Sequence, residues 1–239
     1  PALTKSRQAQ AKRDRRALQV AHVSGIPPAG ALTMMREDPI LRGEDLFREH
    51  CASCHRLGDM GPADGKITAP TLDGWGTEKW IVSLLEDPDA PEMFGTSGYK
   101  GKMPSMTVAP KDPVAAKDWK PMKREEITAI ARFLAAEADE APGKHEVGAK
   151  LVRQRCTSCH LFRGETDDAE GLGPELAGWG STEWTRQQIA NPGSNATYRP
   201  PALSTAIDGH MPRFDEKSTA ADADLLARLA QRGARVGAK

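Results

Sequence analysis

An all-α protein with two tandem helical domains is the fold class that this 239-residue sequence predicts. The first supporting observation is that apolar residues recur at helical spacing, while no segment shows the alternation of a half-buried strand. The second is an internal repeat, since the Cys-x-x-Cys-His segment that begins at Cys51 returns at Cys156, 105 residues later. The third is composition, because only 5% aromatic residues leave two small domains short of core material unless another group fills their interiors.

The repeat covers most of the chain and divides it into three parts. The segments that occur in both halves are Cys-x-x-Cys-His at 51–55 and 156–160, Pro-x-Leu-x-Gly-Trp-Gly at 70–76 and 174–180, and Met-Pro at 103–104 and 211–212. Their offsets are 105, 104 and 108 residues, and these small differences indicate short loop insertions. We therefore expect a basic arm and Pro-rich linker at 1–39, a first domain at 40–140 and a second domain at 141–239.

Each domain is predicted to contain an early, a middle and a late helix. The predicted ranges are 40–50 and 147–155 for the early helices, 77–86 and 181–190 for the middle helices, and 123–137 and 220–231 for the late helices. Thr77 and Ser181 are typical helix N-caps, and the Asp87-Pro88 and Asn191-Pro192 pairs end the middle helices. The faces predicted to be apolar are Leu41, Leu46 and Phe47; Val147, Leu151 and Val152; Ile127, Ile130, Ala131 and Leu134; and Leu225, Leu226 and Leu229.

The four cysteines all belong to the repeated motif, as Cys51 and Cys54 in the first copy and Cys156 and Cys159 in the second. A Cys-x-x-Cys-His segment is typical of c-type haem attachment. The two thiols add across the two vinyl groups of the porphyrin, and the adjacent histidine is then placed to bind the iron from one face. The sequence therefore predicts two covalently bound haem c groups, with His55 and His160 as iron ligands.

Other uses of the same cysteines fit the sequence less well. A closed zinc site needs four ligands in one place, whereas each motif offers three and neither half contains a second ligand pair. A redox-active dithiol of the thioredoxin type would require a βαβ context, which the helical pattern does not provide. A disulfide would have to close across only two residues, which is a strained geometry.

Each repeat resembles a class I cytochrome c domain in the order of its parts: an early helix, the haem motif, a Pro-containing loop, a middle helix, a Met-Pro loop and a late helix. The resemblance implies that Gly43 and Gly148 allow the early and late helices of one domain to cross closely. It also implies that the carbonyls of Pro70 and Pro174 accept hydrogen bonds from the rings of the two haem-motif histidines. The second repeat departs from the pattern, because its late helix lacks the aromatic residue that Phe133 supplies in the first.

The distal iron ligands implied by this resemblance are Met103 and Met211, paired with His55 and His160 of their own repeats. A thioether is a soft, neutral ligand that favours ferrous iron and raises the reduction potential. Either methionine could instead fill the core. Met106 and His210 are the competing ligands, but only Met103 and Met211 share the Met-Pro pair at a similar distance after the haem motif.

The tryptophans have two possible roles. Trp75 and Trp179 lie between glycines, where an indole N–H could donate to a haem propionate or simply pack. Trp80 and Trp184 fall inside the middle helices, where we expect core positions. The histidines outside the motifs, His22, His50 and His145, are expected at the surface.

Charge patterning points to the kind of partner. The chain has 33 basic and 33 acidic residues, so its balance carries no sign of nucleic-acid binding. Residues 1–30 carry a net charge of +5 and residues 31–143 a net charge of −6. Residues 5–20 could form a polar helix or remain a solvated arm. No run approaches the roughly 18 apolar residues of a membrane span, so we expect the chain itself to be soluble.

A second resemblance concerns residues 20–60. Gly25-Ile26-Pro27-Pro28, Asp38-Pro39 and Gly43 resemble the stretch that leads into the two-haem part of bacterial quinol:cytochrome c oxidoreductases, the cytochrome bc complexes. This resemblance implies a cytochrome b-type membrane subunit and other electron-transfer proteins as partners. It also implies a location on the periplasmic side of the bacterial inner membrane, through a complex or through an anchor outside this sequence.

The function expected from these observations is single-electron transfer in a respiratory chain, from a quinol-oxidising complex to a downstream cytochrome or oxidase. A His–Met ligand pair leaves no open position for a substrate, which favours an electron-transfer subunit over a stand-alone enzyme. The alternatives are a free two-haem shuttle in the periplasm and a two-haem peroxidase-type enzyme, which would need a vacant or displaceable sixth ligand.

Overall fold

Helices are the regular secondary structure of the part of the chain that the structure describes. The structure, a computed structural model, describes residues 2–63, 65–139, 143, 145–165, 173–192, 194, 197, 211–214 and 226. Its helices are α1 (Ala2–Ser24), α2 (Ala31–Glu37), α3 (Pro39–His50), α4 (Glu78–Glu86), α5 (Pro113–Ala116), α6 (Arg124–Ala138), α7 (Glu146–Arg155) and α8 (Thr182–Ala190). The only β-type pairs among these residues are isolated bridges between Leu57 and Met60 and between Phe162 and Glu165. The all-α prediction is confirmed for the described part of the chain.

The predicted early, middle and late helices agree with the structure to within two residues at each end wherever they are described. Thr77 Oγ1 accepts from the Trp80 amide at 3.3 Å, and Ser181 Oγ accepts from the Trp184 amide at 3.1 Å, so both predicted N-caps are confirmed. The predicted late helix at 220–231 lies outside the described residues except for Leu226, which is helical and buried.

The basic arm is an α-helix that is attached to the first repeat by ion pairs. Asp38 caps α3 by accepting from the Leu41 amide at 3.0 Å, and Arg16 Nη2 lies 2.7 Å from its other oxygen. Burial opposes ionisation of Asp38, but the Arg16 hydrogen bond and the backbone donors outweigh it and hold the pKa of this carboxyl below its usual value. Two further pairs connect α1 with α3, Lys12 with Glu44 at 2.8 Å and Arg13 with Asp45 at 2.7 Å.

These three ion pairs neutralise three of the six basic residues of α1 within the chain. Of the two alternatives left open by the sequence, the structure shows the helix. None of the helices in the described ranges combines the length and the apolar character needed to cross a membrane.

Helix α7 packs against α6, and this contact corrects one expectation from the sequence. The resemblance implied that Gly148 would cross the late helix of its own repeat. Instead Gly148 faces α6 of the first repeat, where an added Cβ would lie 2.5 Å from the Cβ of Phe133 and would contact the carbonyl oxygen of Ala129. The connection between α6 and α7 is short, residues 139–145, and helices joined by short connections usually pack together.

The buried face of α7 differs from the prediction at one position. Val152 is completely buried and Leu151 is half-buried, as expected, but Val147 is 68% exposed. The close approach at Gly148 sets the rotation of the helix, and this rotation turns Val147 toward solvent.

The first core is built by both repeats. The first repeat contributes the buried faces of α4 and α6, and these include all four late-helix positions predicted to be apolar. The second repeat contributes Val152, Phe162, Leu176, Trp179 and Trp184. Phe133 and Phe162 meet edge to face with ring centroids 5.7 Å apart, a favourable arrangement for an aromatic pair.

The second core also draws on both repeats. Its buried members are Phe47, Leu57 and Met60 from the first repeat and Ile189, Phe214 and Leu226 from the second. His50, which we expected at the surface, is half-buried because its ring stands against Phe214 at a centroid distance of 5.6 Å. His145 is half-buried and His22 is exposed.

Four tryptophans cluster where the two repeats meet. Trp75 and Trp179 have ring centroids 5.1 Å apart, and Trp80 and Trp184 pack around them. The indole N–H of Trp80 donates to the Thr71 carbonyl at 3.3 Å, and that of Trp184 donates to the Glu175 carbonyl at 3.1 Å. The core role predicted for Trp80 and Trp184 is confirmed, and the propionate contact of the other two remains a prediction.

Glu137 ties the end of α6 to the second repeat. Its side chain is 4% exposed, and it accepts from Arg163 Nη2 at 2.6 Å and from the Gly178 amide at 2.7 Å. The same guanidinium lies over the Phe162 ring at 5.1 Å. This buried carboxylate has two donors from the other repeat, so the apolar contact between the repeats also contains directional, charge-assisted hydrogen bonds.

We expect Glu137→Gln to lower the free energy of unfolding by about 1–3 kcal/mol, because an amide cannot replace the charge-assisted bond to Arg163 and also accept from Gly178 equally well. The matched control is Glu78→Gln, which removes an exposed pair with Arg132 and should cost less than about 1 kcal/mol. Urea titrations of both variants measure the difference. Equal losses would contradict a role for Glu137 in joining the repeats.

Candidate haem sites

Each Cys-x-x-Cys-His motif forms a single helical turn directly after an early helix. In the first motif the amides of Cys54 and His55 both donate to the Cys51 carbonyl, at 3.1 and 2.9 Å. In the second motif the amides of Cys159 and His160 donate to the Cys156 carbonyl, at 3.1 and 2.8 Å. Residues at i, i+3 and i+4 of a turn share one face, so both thiols and the imidazole are presented together. This is the donor set that a covalently attached haem requires.

The two histidine rings are oriented by proline carbonyls, as the resemblance implied. Nδ1 of His55 lies 2.8 Å from the Pro70 oxygen, and Nδ1 of His160 lies 3.0 Å from the Pro174 oxygen. A carbonyl can only accept, so Nδ1 carries the proton and the lone pair lies on Nε2. Nε2 is then the atom available for iron, and the hydrogen bond increases its strength as a ligand.

Burial sets the protonation of the motif side chains. It lowers the pKa of His55 and of His160, and the Pro70 and Pro174 hydrogen bonds offset only part of that effect. The imidazoles are therefore neutral at neutral pH, which is the form that binds a metal. Burial, with a smaller contribution from Cys54, raises the pKa of Cys51 to about 12. Burial likewise raises the pKa of Cys156 to about 11.

The thiols themselves remain free for attachment. None of the four cysteines is joined in a disulfide, and Cys54 is exposed while the other three are half-buried. The loop that follows each motif closes in the same way, with paired backbone bonds between Leu57 and Met60 and between Phe162 and Glu165. The two copies of the motif are thus built alike beyond the five residues that define them.

Gly173 is a site residue that we did not predict from the sequence. Its backbone lies against the His160 ring, and a Cβ at this position would lie 2.8 Å from Nε2. A side chain at 173 would therefore compete with anything bound to that nitrogen. The signal in the sequence was the position directly before Pro174, but the corresponding residue in the first repeat is Ala69, so the repeat did not single it out.

The methionine loops occupy corresponding positions after the middle helices. The Met106 amide donates to the Leu85 carbonyl at the end of α4, at 2.8 Å. The Phe214 amide donates to the Ala190 carbonyl at the end of α8, at 3.0 Å. The two acceptors differ by one position, since Leu85 is equivalent to Ile189 in the repeat, so the Met-Pro pair, and not these bonds, aligns Met103 with Met211. His210, the competitor of Met211, lies outside the described residues.

The two methionines lie in different cores. Met103 and Met106 pack against the first core, as does Cys156. Met211 packs against the second core, as do Cys51 and its neighbour Ala52. Met103 and Met211 are half-buried, so each lies at the edge of an apolar cluster that also contacts a cysteine of a Cys-x-x-Cys-His motif.

Comparison with known proteins identifies the first repeat. Residues 40–136, about two fifths of the chain, match the protein-family model described as Cytochrome c. No curated protein and no solved structure matches the chain. The matched range contains Cys51, Cys54 and His55 in the geometry described above. The chain therefore contains a cytochrome c domain, which implies covalently bound haem c and a role in haem-based electron transfer.

Proposed function

We propose that this chain is a two-haem electron carrier, with one covalent haem c on each Cys-x-x-Cys-His motif. The observation that carries this proposal is the identical construction of the two motifs. In both, the thiols and imidazole share one turn, and Nδ1 of the histidine is held by a proline carbonyl at 2.8 or 3.0 Å. The match to the cytochrome c family covers the first motif, and the second has the same donor set.

The residues would hold each haem through two thioether bonds and one imidazole nitrogen. Cys51, Cys54 and His55 serve one group, and Cys156, Cys159 and His160 serve the other. The haem supplies one-electron redox chemistry, while Pro70 and Pro174 fix the tautomer and increase the donor strength of each histidine. A methionine would be the second protein ligand to each iron, which would favour electron exchange over binding of a substrate to iron.

Two measurements on the purified chain test the haem count. The mass of the denatured protein should exceed the sequence mass by two haem groups, and a redox titration followed by visible spectroscopy should require two one-electron steps. One haem increment, or zinc in place of iron, would contradict the proposal.

We propose further that the partner is a quinol-oxidising membrane complex containing a cytochrome b-type subunit, on the periplasmic side of the inner membrane. The linker resemblance supports this proposal, as does the basic helix α1 that precedes the haem sites. The ion pairs with Glu44, Asp45 and Asp38 neutralise only part of the positive charge of α1. The net charge of −6 over residues 31–143 would favour a basic electron acceptor, and that contact should weaken with salt.

Co-purification from detergent-solubilised membranes tests this partner. We expect the chain to be recovered with b-type haem and quinol oxidation activity, and we expect added salt to weaken its reaction with a basic acceptor. Recovery of the full-length protein as a free monomer from the periplasm, with no quinol-oxidising partner, would instead indicate a soluble two-haem shuttle.

A further inference from the structure

The early half of each repeat packs against the late half of the other repeat. Helix α7, the early helix of the second repeat, lies on α6, the late helix of the first. Arg155 at the end of α7 donates to the Lys120 carbonyl before α6, at 3.2 Å. Directly after the second haem motif, Phe162 meets Phe133 of α6. The second haem motif is therefore covered by the late half of the first repeat.

The reciprocal contact covers the first haem motif. Phe47 of α3 lies in the second core with Phe214 and Leu226. His50, the last residue before Cys51, stands against the ring of Phe214. The early half of the first repeat is thus packed by the late half of the second.

The chain crosses between the cores at the tryptophan cluster. In the first repeat Leu72 packs on the second core, whereas Trp75, three residues later, packs on the first core. In the second repeat α8 spans both cores, with Trp184 in the first and Ile189 in the second. Gly76 and Gly180 follow the stacked tryptophans with φ of 77° and 78°, a backbone conformation that side chains other than glycine rarely adopt.

We propose that each haem is coordinated across the repeats, His160 with Met103 and His55 with Met211. This inference rests on the proposed two-haem function and replaces the same-repeat pairing expected from the sequence. Its basis is that Met103 and Cys156 border the first core, while Met211 and Cys51 border the second. A haem anchored at Cys156 and Cys159 would lie beside the first core, where Met103 packs. A haem anchored at Cys51 and Cys54 would lie beside the second core, where Met211 packs.

The ligand pairing can be determined on the intact two-haem chain by nuclear magnetic resonance of the reduced, diamagnetic protein. The axial methionine methyl resonances are assigned with Met103→Leu and Met211→Leu, which remove the thioether and keep the side-chain volume. Met106→Leu is the matched control and should leave both axial methyl signals in place. Nuclear Overhauser contacts then show which methyl shares a haem with the thioether protons of Cys51 and Cys54.

A second measurement uses chains with one attachment site. In Cys156→Ala/Cys159→Ala, only the first motif retains a covalent haem, and the Met-to-iron charge-transfer band should be lost with Met211→Leu and kept with Met103→Leu. In Cys51→Ala/Cys54→Ala the dependence should be reversed. Both experiments read coordination directly and need no activity assay.

The outcomes separate this inference from the proposed function. Contacts of the Met211 methyl with the haem on Cys51 and Cys54 support the exchanged pairing. Contacts of the Met103 methyl with that haem would overturn it and leave the two-haem carrier standing. Loss of one charge-transfer band with Met106→Leu, but not with Met103→Leu, would overturn the ligand assignment. A chain without covalent haem would overturn the proposed function and the pairing together.

Discussion

Replacing Cys156 and Cys159 together with alanine should reduce the covalent haem content from the two proposed groups to one. The thiols are the only atoms of the motif that can form thioether bonds, and no cysteine lies outside the two motifs. Replacing Cys51 and Cys54 should have the same effect on the other group. The measurement is the mass of the denatured protein, together with haem staining after denaturing electrophoresis.

The matched control for the cysteine variants changes the residue between the thiols. Ser53 and Ser158 are exposed, and each hydroxyl contacts the sulfur of the neighbouring cysteine, at 3.7 and 3.9 Å. Ser53→Ala and Ser158→Ala should therefore retain both haems. An unchanged mass after loss of either cysteine pair would show that the corresponding motif is not an attachment site.

Gly148→Val should lower the free energy of unfolding by about 1–3 kcal/mol, because the added side chain would overlap Phe133 and the Ala129 carbonyl on α6. Valine is a better helix former than glycine, but that gain is only roughly 0.4 kcal/mol and does not offset the overlap. The loss should affect both repeats in one transition, because α6 and α7 bring their side chains into the same core. Denaturant titration with signals from both haems measures both effects.

Gly143→Ala is the control for this substitution. Among the described residues no atom lies within 4 Å of a Cβ placed at 143, so the change should stay within about 0.5 kcal/mol of the parent protein. Two separate transitions, with only the second haem affected by Gly148→Val, would contradict the shared core.

Local features of the chain were predictable because short-range chemistry decides them. Thr77 and Ser181 cap helices through their own side chains, and Ile127, Ile130 and Leu134 recur at the spacing of one helical face. The turn of each haem motif places Cys51, Cys54 and His55 on one side through bonds within five residues. The proline contacts of the histidines came from resemblance to a family and agree with the structure.

Features that depend on distant residues were not predictable in this way. Nothing in the sequence indicates that Gly148 would meet Phe133, that Glu137 would accept from Arg163, or that Gly173 would lie against His160. The first two contacts join residues on either side of the connection at 139–145. The third joins two residues that lie 13 positions apart in the sequence. The periodicity of one helix identifies its apolar face but not the helix that covers it.

The sequence by itself determined the helical class, the repeat and the two Cys-x-x-Cys-His motifs. Helical periodicity and the motifs depend on spacing within a few residues, and the repeat is visible from segments that occur twice. Only the tertiary structure decided which halves of the repeats pack together. Two similar repeats offer each early helix two similar late helices, and both choices bury an apolar face. The choice then depends on the short connection between α6 and α7, the close approach at Gly148 and the buried Glu137 contact, which favour packing across the repeats.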